Sequence, residues 1–224
     1  MFIKNEAAMK IGDYLVVSDV HVGLTKDLWQ AGVSLPSQVN ALAARLNKLK
    51  RLTRAKYLVI NGDLKHKITG ISAQERQEVP EFLALLRFAK IIVVKGNHDG
   101  DIEKLIDDKR VTVKKSFSVG NYLITHGHRH AKTSKKIIVV GHNHLAVRFR
   151  DDVGAVYTEP VWVRGKAGDK TIIIMPAFNE LSGYYTVNKG SFQGPVASML
   201  SRSAHIYLLD GTDIGRIKDV KLKE

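Results

Sequence analysis

The chain has 224 residues, with 35 Lys and Arg against 22 Asp and Glu, a formal net charge of +13. Nine histidines and no cysteine exclude disulfide scaffolds, thiolate–zinc sites and cysteine nucleophiles, and a 44% hydrophobic content excludes intrinsic disorder. No segment approaches the roughly 18–20 consecutive apolar residues of a membrane helix and the N-terminal stretch lacks an apolar signal core, so a cytoplasmic protein with no membrane partner is expected, its basic balance favouring polyanions.

In chain order, short Val- and Ile-rich runs at 14–17, 57–60, 91–94, 122–124 and 137–140 read as buried strands, each ending at polar or Gly residues. Between the first two lies a helix with Ser37 as N-cap, on which Val39, Leu42, Ala43, Leu46 and Leu49 recur at helical spacing. A second helix is expected over 80–88 with Pro80 in its first turn, and a short third one from Asp101 as N-cap through Leu105 and Ile106. After residue 150 the pattern becomes strands at 156–157, 161–163, 172–175 and 206–209, which predicts antiparallel pairing. With no repeat or linker, residues 1–224 read as one domain of two packed sheets, β-rich over 150–224.

The histidines carry the chemistry, and all except His205 fall in or beside strand ends. Successive strand ends carry Asp19-Val20-His21, Gly62-Asp63, Gly96-Asn97-His98-Asp99, His126-Gly127-His128 and Gly141-His142-Asn143-His144. Any one of these alone is ordinary turn chemistry. Their occurrence in order, each after an apolar strand, places Asp, His and Asn along the C-terminal edge where ligands gather in such sheets. Imidazole with carboxylate and amide oxygen, without thiolate, suits manganese, iron, zinc or nickel, whereas calcium and magnesium prefer all-oxygen cages. About seven ligands are too many for one tetrahedral zinc and fit two ions sharing a carboxylate, the clamp that hydrolyses phosphate esters.

These motifs, spread over residues 19–144, resemble the signature of the calcineurin-like metallophosphoesterases. The resemblance implies an α/β fold, a four-layer α/β/β/α sandwich of two mixed β-sheets. It implies one metal held by Asp19, His21 and His144, a second by Asn97, His126 and His142, and Asp63 bridging both. It further implies two divalent ions, manganese foremost, with in-line attack by a bridging hydroxide. His98 is the implied proton donor to the leaving oxygen, and Asp99 is expected to orient its ring. His66, His128 and His130 receive no role. The stretches Asp19–Gly23, 30–36, 175–183 and Val187-Asn188 resemble more narrowly the SbcD/Mre-related archaeal phosphoesterases and the bacterial ligase-associated PdeM group. That branch implies a manganese-dependent phosphodiesterase, a nuclease in DNA repair. Protein serine/threonine phosphatases differ, since they carry Asp-Arg after the bridging Asp and Glu in place of Asp99.

Residues 121–150 contain Arg129, Lys132, Lys135, Lys136, Arg148 and Arg150 and no acid. They surround two metal motifs, and Arg129, Lys132, Lys135, Lys136 and Arg148 are expected to hold a phosphodiester backbone, single- or double-stranded DNA. Residues 28–62 are also acid-free, but Arg45, Lys48, Lys50, Arg51, Arg54 and Lys56 read first as the solvated face of the first helix. Two loops, 26–36 with Trp29 and 182–203 with Tyr184, Tyr185 and Lys189, border the expected site. Packing of Trp29 under its loop is weighed there against stacking on a base. Two other functions share these residues: hydrolysis of small nucleotides or phosphomonoesters, and nucleic-acid binding around a vestigial metal site. Oligomeric state is open, a homodimer included.

Overall fold

Strands with both faces covered read as continuous apolar runs, and such runs build the first sheet. The computed structural model describes residues 1–187 and 192–220. The first sheet has the order β1 (Ala8–Ile11), β2 (Tyr14–Val17), β3 (Tyr57–Asn61), β4 (Lys90–Val94), β5 (Val111–Lys114). β1 is antiparallel to β2, and the remaining neighbours are parallel. One face carries α2 (Val39–Thr53) and α3 (Ala73–Leu85). Their Leu42, Leu46, Leu49, Phe82 and Leu83 pack on Leu15, Val17, Leu58, Ile60, Ile91 and Val93.

The opposite face meets the second sheet. There Val16, Val59, Ile92 and Val94 pack against Ile124, Val139, Trp162 and Ile173. Among the described residues the second sheet runs β12 (Tyr185–Thr186), β9 (Leu145–Arg150), β10 (Val156–Ala167), β11 (Lys170–Ile174), β8 (Ile137–Val140), β7 (Tyr122–Ile124), β6 (Phe117–Val119), with β13 (His205–Leu208) and β14 (Asp213–Arg216) beside β10. β10 pairs antiparallel with β9, β11 and β13 as expected, but β11–β8, β8–β7 and β12–β9 are parallel, so both sheets are mixed. Among the described residues, the outer face of this sheet is covered by loop and the 3-10 turn Ala197–Met199, through Val196, Ala197 and Leu200. The fourth layer is therefore thin.

Several local expectations are revised. The runs 156–157 and 161–163 form one strand, with Pro160 where β10 changes partner from β9 to β13. That junction spares the proline a ladder bond it cannot donate. The second helix starts at Ala73, not at Pro80. Ser72 accepts from the Glu75 amide and Glu75 accepts from the Ser72 amide, a full capping box that outweighs the proline inside the helix. Asp101 sits in the left-handed region without capping by its side chain, and only the 3-10 turn Ile102–Leu105 follows it. The 26–36 loop begins inside α1 (Thr25–Gln30), whose Trp29 is 67% exposed and not packed beneath the chain. Asn188 and Lys189 lie outside the described residues.

Candidate metal centre

Strand order brings the motifs together from two sheets rather than along one sheet edge. β2, β3 and β4 deliver Asp19 and His21, Asp63, and Asn97 with His98 from the first sheet, whereas β7 and β8 deliver His126, then His142 and His144, from the second. Backbone bonds lock the loops: Asp19 N to Gly62 O at 3.1 Å, His21 N to Asp63 O at 2.9 Å, and Gly141 N to His126 O at 3.1 Å. Asp19, His21, Asp63, His142 and His144 all have φ between +43° and +68°. That conformation costs a non-glycine residue roughly 1–2 kcal/mol, and such strain concentrates at sites whose surroundings over-determine it.

The donor atoms converge. His21 Nε2 faces His144 Nε2 at 3.2 Å, and His144 Nε2 lies 3.2 Å from Asp19 Oδ1. Asp63 Oδ2 lies 3.1 Å from His126 Nε2 and 3.9 Å from His21 Nε2, and Asn97 Oδ1 is 3.1 Å from His126 Nε2. Asp19, His21, Asp63 and His144 form one group and Asp63, His126 and His142 another, each with ligand atoms within 4.8 Å of one another. Asp63 belongs to both. Buried imidazoles and carboxylates grouped this way fit two divalent ions with a shared carboxylate.

Charge and burial oppose one another here. Burial opposes ionisation of Asp19 and Asp63, yet the surrounding histidines outweigh it and hold both carboxyls below their ordinary values. Burial likewise disfavours charge on His126, but Asp63 and Asp19 lift it to about 9. His21 is pushed by burial to about 3. Asp19 and Asp63 are thus held toward their ionised forms.

His98 borders a cavity of about 500 Å³ together with Asn97, His142, Tyr184 and Tyr185. Its Nδ1 donates to the carbonyl of His66, and its Nε2 lies 3.8 Å from Asp63 Oδ2. Asp99 does not perform the ring-orienting role expected of it. Its buried carboxylate accepts from the amides of Leu64 (2.9 Å), Lys65 (3.3 Å) and Gly96 (2.8 Å), tying the loop after β3 to the loop after β4. Burial, with Asp63 nearby, raises its carboxyl to about 6.

The five basic residues expected to bind substrate separate. Arg129 and Lys132 line a second cavity of about 520 Å³ that shares Asn97 with the first. Lys135 Nζ donates to the Gly120 carbonyl at 2.8 Å, Lys136 pairs with Asp169 at 3.0 Å, and Arg148 is exposed on β9. Arg45 is not part of a solvated face. It bonds Glu6 Oε2 at 2.7 Å and the Phe178 carbonyl at 3.0 Å, and stacks 4.4 Å over the Phe178 ring. It thereby fastens the 175–183 segment, whose Asn179 Nδ2 donates to the Val20 carbonyl at 2.9 Å between Asp19 and His21. Asn143, between His142 and His144, bonds both the amide and carbonyl of Gln193. Neither contact has a periodic signal in the sequence, because both are polar tethers between distant loops.

Fold and site together define a phosphoesterase built around a His/Asp metal cluster. The family model of the calcineurin-like phosphoesterases matches residues 13–194, and the chain belongs to that family. Among solved structures, the nuclease MPE of Pseudomonas putida shares the fold with a TM-score of 0.56 at 22% identity, over 88% of this chain and 85% of that one. The phosphoesterase Yfce of E. coli gives 0.47 at 19% identity, over 91% and 97%. No curated protein sequence matches this chain.

Proposed function

We propose that this phosphoesterase hydrolyses phosphodiester bonds of nucleic acid with manganese, as the SbcD/Mre-related branch would. The cationic cavity beside the metal cluster carries the reading. Among the described residues, Lys95, Lys115, Arg129 and Lys132 line it and no carboxylate does. Lys95 is paired with Glu103, but among the described residues Lys115, Arg129 and Lys132 have no carboxylate partner. A polynucleotide carries further phosphates on either side of the scissile one, and an isolated monoester does not. Free cations one cavity away from the reacting centre position such a backbone without reading its sequence.

Asp19, His21 and His144 would hold one ion, Asn97, His126 and His142 the other, with Asp63 shared. When bound, the two ions polarise the phosphoryl oxygens and acidify water at neutral pH. His98 is held at Nδ1 by the His66 carbonyl, which leaves Nε2 to give a proton to the leaving oxygen. Imidazole suits that step because it exchanges protons near neutrality. Asp99 serves as a loop anchor in this scheme.

The test is a manganese assay on bis(4-nitrophenyl) phosphate, a phosphomonoester, and labelled single- and double-stranded DNA, with Asp63→Ala as control. The double variant Arg129→Ala/Lys132→Ala is expected to raise KM for DNA roughly tenfold and to lower the salt-dependence slope by about 2. The small diester should lose far less. DNA turnover unaffected by the double variant refutes the substrate reading. Preference for the monoester supports a small-nucleotide hydrolase, and salt-dependent DNA binding without turnover supports a vestigial site.

A further inference from the structure

His66 lies three residues beyond Asp63, and its ring stands between two elements. Its Nδ1 is 3.3 Å from Nδ1 of His21, and its Nε2 is 3.3 Å from Asp27 Oδ2 on α1. The other nitrogen of His21, Nε2, is the one that faces His144 and Asp63. A histidine that ligates through Nε2 needs its lone pair there, so its proton sits on Nδ1. Nδ1 of His21 must then donate, and Nδ1 of His66 must accept. The proton of His66 is therefore on Nε2, where it donates to the Asp27 carboxylate. Every atom in this chain has one role, and both rings are neutral. The reverse polarity places a proton on His21 Nε2 and removes that ligand.

We propose that His66 is a positioning residue, anchored by Asp27, that fixes His21 in the tautomer and orientation needed to ligate. The inference rests on the assignment of His21 as a metal ligand and not on the choice of substrate. Partners of this kind on a ligating histidine hold ring orientation and raise ligand basicity. Residue 66 acts on two histidines by separate means, on His21 through its ring and on His98 through its carbonyl. A substitution at 66 keeps the carbonyl, so it isolates the ring's contribution. His21, His66 and His98 also lie close enough together to hold an ion of their own. That arrangement requires both nitrogens of His21 as ligands and predicts a different stoichiometry.

The full chain is titrated with Mn2+ alone by calorimetry. The wild type is expected to bind two equivalents, and His66→Leu to bind one of them about 10- to 100-fold more weakly. His66→Asn, whose Oδ1 can stand where Nδ1 stood and accept from His21, is expected to recover most of the loss. Wild-type affinity in His66→Leu overturns the proposal, as does an equal loss in His66→Leu and His66→Asn, which marks packing alone. Three equivalents in the wild type with one lost in both variants also overturns it, in favour of a third ion. If His66→Leu shows no cooperative thermal transition, Asp27→Ala on the exposed face of α1 takes its place. It is expected to weaken the same equivalent by about threefold to tenfold, and an unchanged affinity overturns the proposal. A wild type that binds two Mn2+ but cleaves no DNA refutes the substrate reading and leaves this one intact.

Discussion

Gly96→Ala is a purely steric perturbation of the centre. A Cβ at Gly96 would lie 2.0 Å from Asp63 Oδ1, 2.5 Å from Asp63 N and 2.8 Å from Asp63 Cγ. Comfortable contacts lie at about 3.5 Å and beyond, so an overlap of about 1 Å or more must be relieved. The backbone nitrogen is among the atoms struck, and no rotamer of Asp63 escapes it. Asp63 Oδ1 also accepts from the His98 amide at 2.9 Å, and Gly96 N donates to Asp99 at 2.8 Å. Asp63, the His98 backbone and the Asp99 loop anchor therefore move together. Overpacking of this kind costs about 1–3 kcal/mol, and a chain of this size loses roughly 2–4 °C of Tm per kcal/mol. A misplacement of about 1 Å at reacting groups costs on the order of 100-fold in rate. The assay compares kcat on bis(4-nitrophenyl) phosphate and the thermal shift on adding Mn2+. Gly12→Ala is the control: φ is +55° there and a Cβ meets nothing within 4 Å, so it should cost about 1–2 kcal/mol of conformational energy and no turnover. Wild-type kcat and a wild-type Mn2+ shift in Gly96→Ala would falsify the reasoning.

Two further predictions concern the scaffold. Arg110 donates to the carbonyls of Leu86 (2.6 Å) and Leu83 (3.1 Å) at the end of α3 and pairs with Asp108 at 2.6 Å. Because the group is partly exposed, Arg110→Ala should cost only about 1–2 kcal/mol in urea unfolding. The hydrogen bond from Arg110 holds the Asp108 carboxyl below its ordinary value. Its contribution is thus complete above the unfolded pKa of about 3.9 and is lost as pH falls through the lower folded value. Asp108→Asn should flatten the stability curve below about pH 4, and an unchanged acid limb would contradict the assignment. Arg45→Leu should destabilise by about 1–3 kcal/mol and speed hydrogen exchange at the Phe178 and Asn179 amides, which bond the carbonyls of Ser18 and Asp19. Undiminished protection at those two amides would show that Arg45 does not fasten the segment.

The buried strands were legible because their periodicity carries their environment. β2, β7 and β8 match the runs read from Val and Ile content residue for residue, and β3 and β4 differ by one residue each. β5 and β6 were harder to read because they are short and half-buried: VTVK alternates apolar and polar over only four residues, and FSV has three. α3 has a readable start in Ser72-Ala73-Gln74-Glu75, but Pro80 carries the competing signal of a first-turn proline inside the same helix. The ligand types were legible since each follows an apolar strand. The left-handed backbone at five of them was not, because Asp and His carry no sequence mark for that conformation. Asp99 shows the limit of adjacency: it neighbours His98 in sequence, yet its carboxylate is taken by three amides. Arg45 shows the same limit for charge, since a basic helix face says nothing about one arginine bridging 39 residues back to Glu6 and 133 forward to Phe178.

The two sheets also give the centre a mechanical meaning. With the assigned ligands, each ion takes donors from both: Asp19 and His21 with His144, and Asn97 with His126 and His142. Metal binding there would rivet two halves that also touch through an apolar layer containing Met9, Val59, Ile92, Val139 and Trp162. The side-chain volume of that layer acts as a spacer gauge for the ligand atoms, which lie at its rim. Facing sheets sit about 10 Å apart and their interiors are nearly incompressible. Catalytic geometry here is consequently a property of the whole interleaf, and core residues that never approach substrate share in setting it.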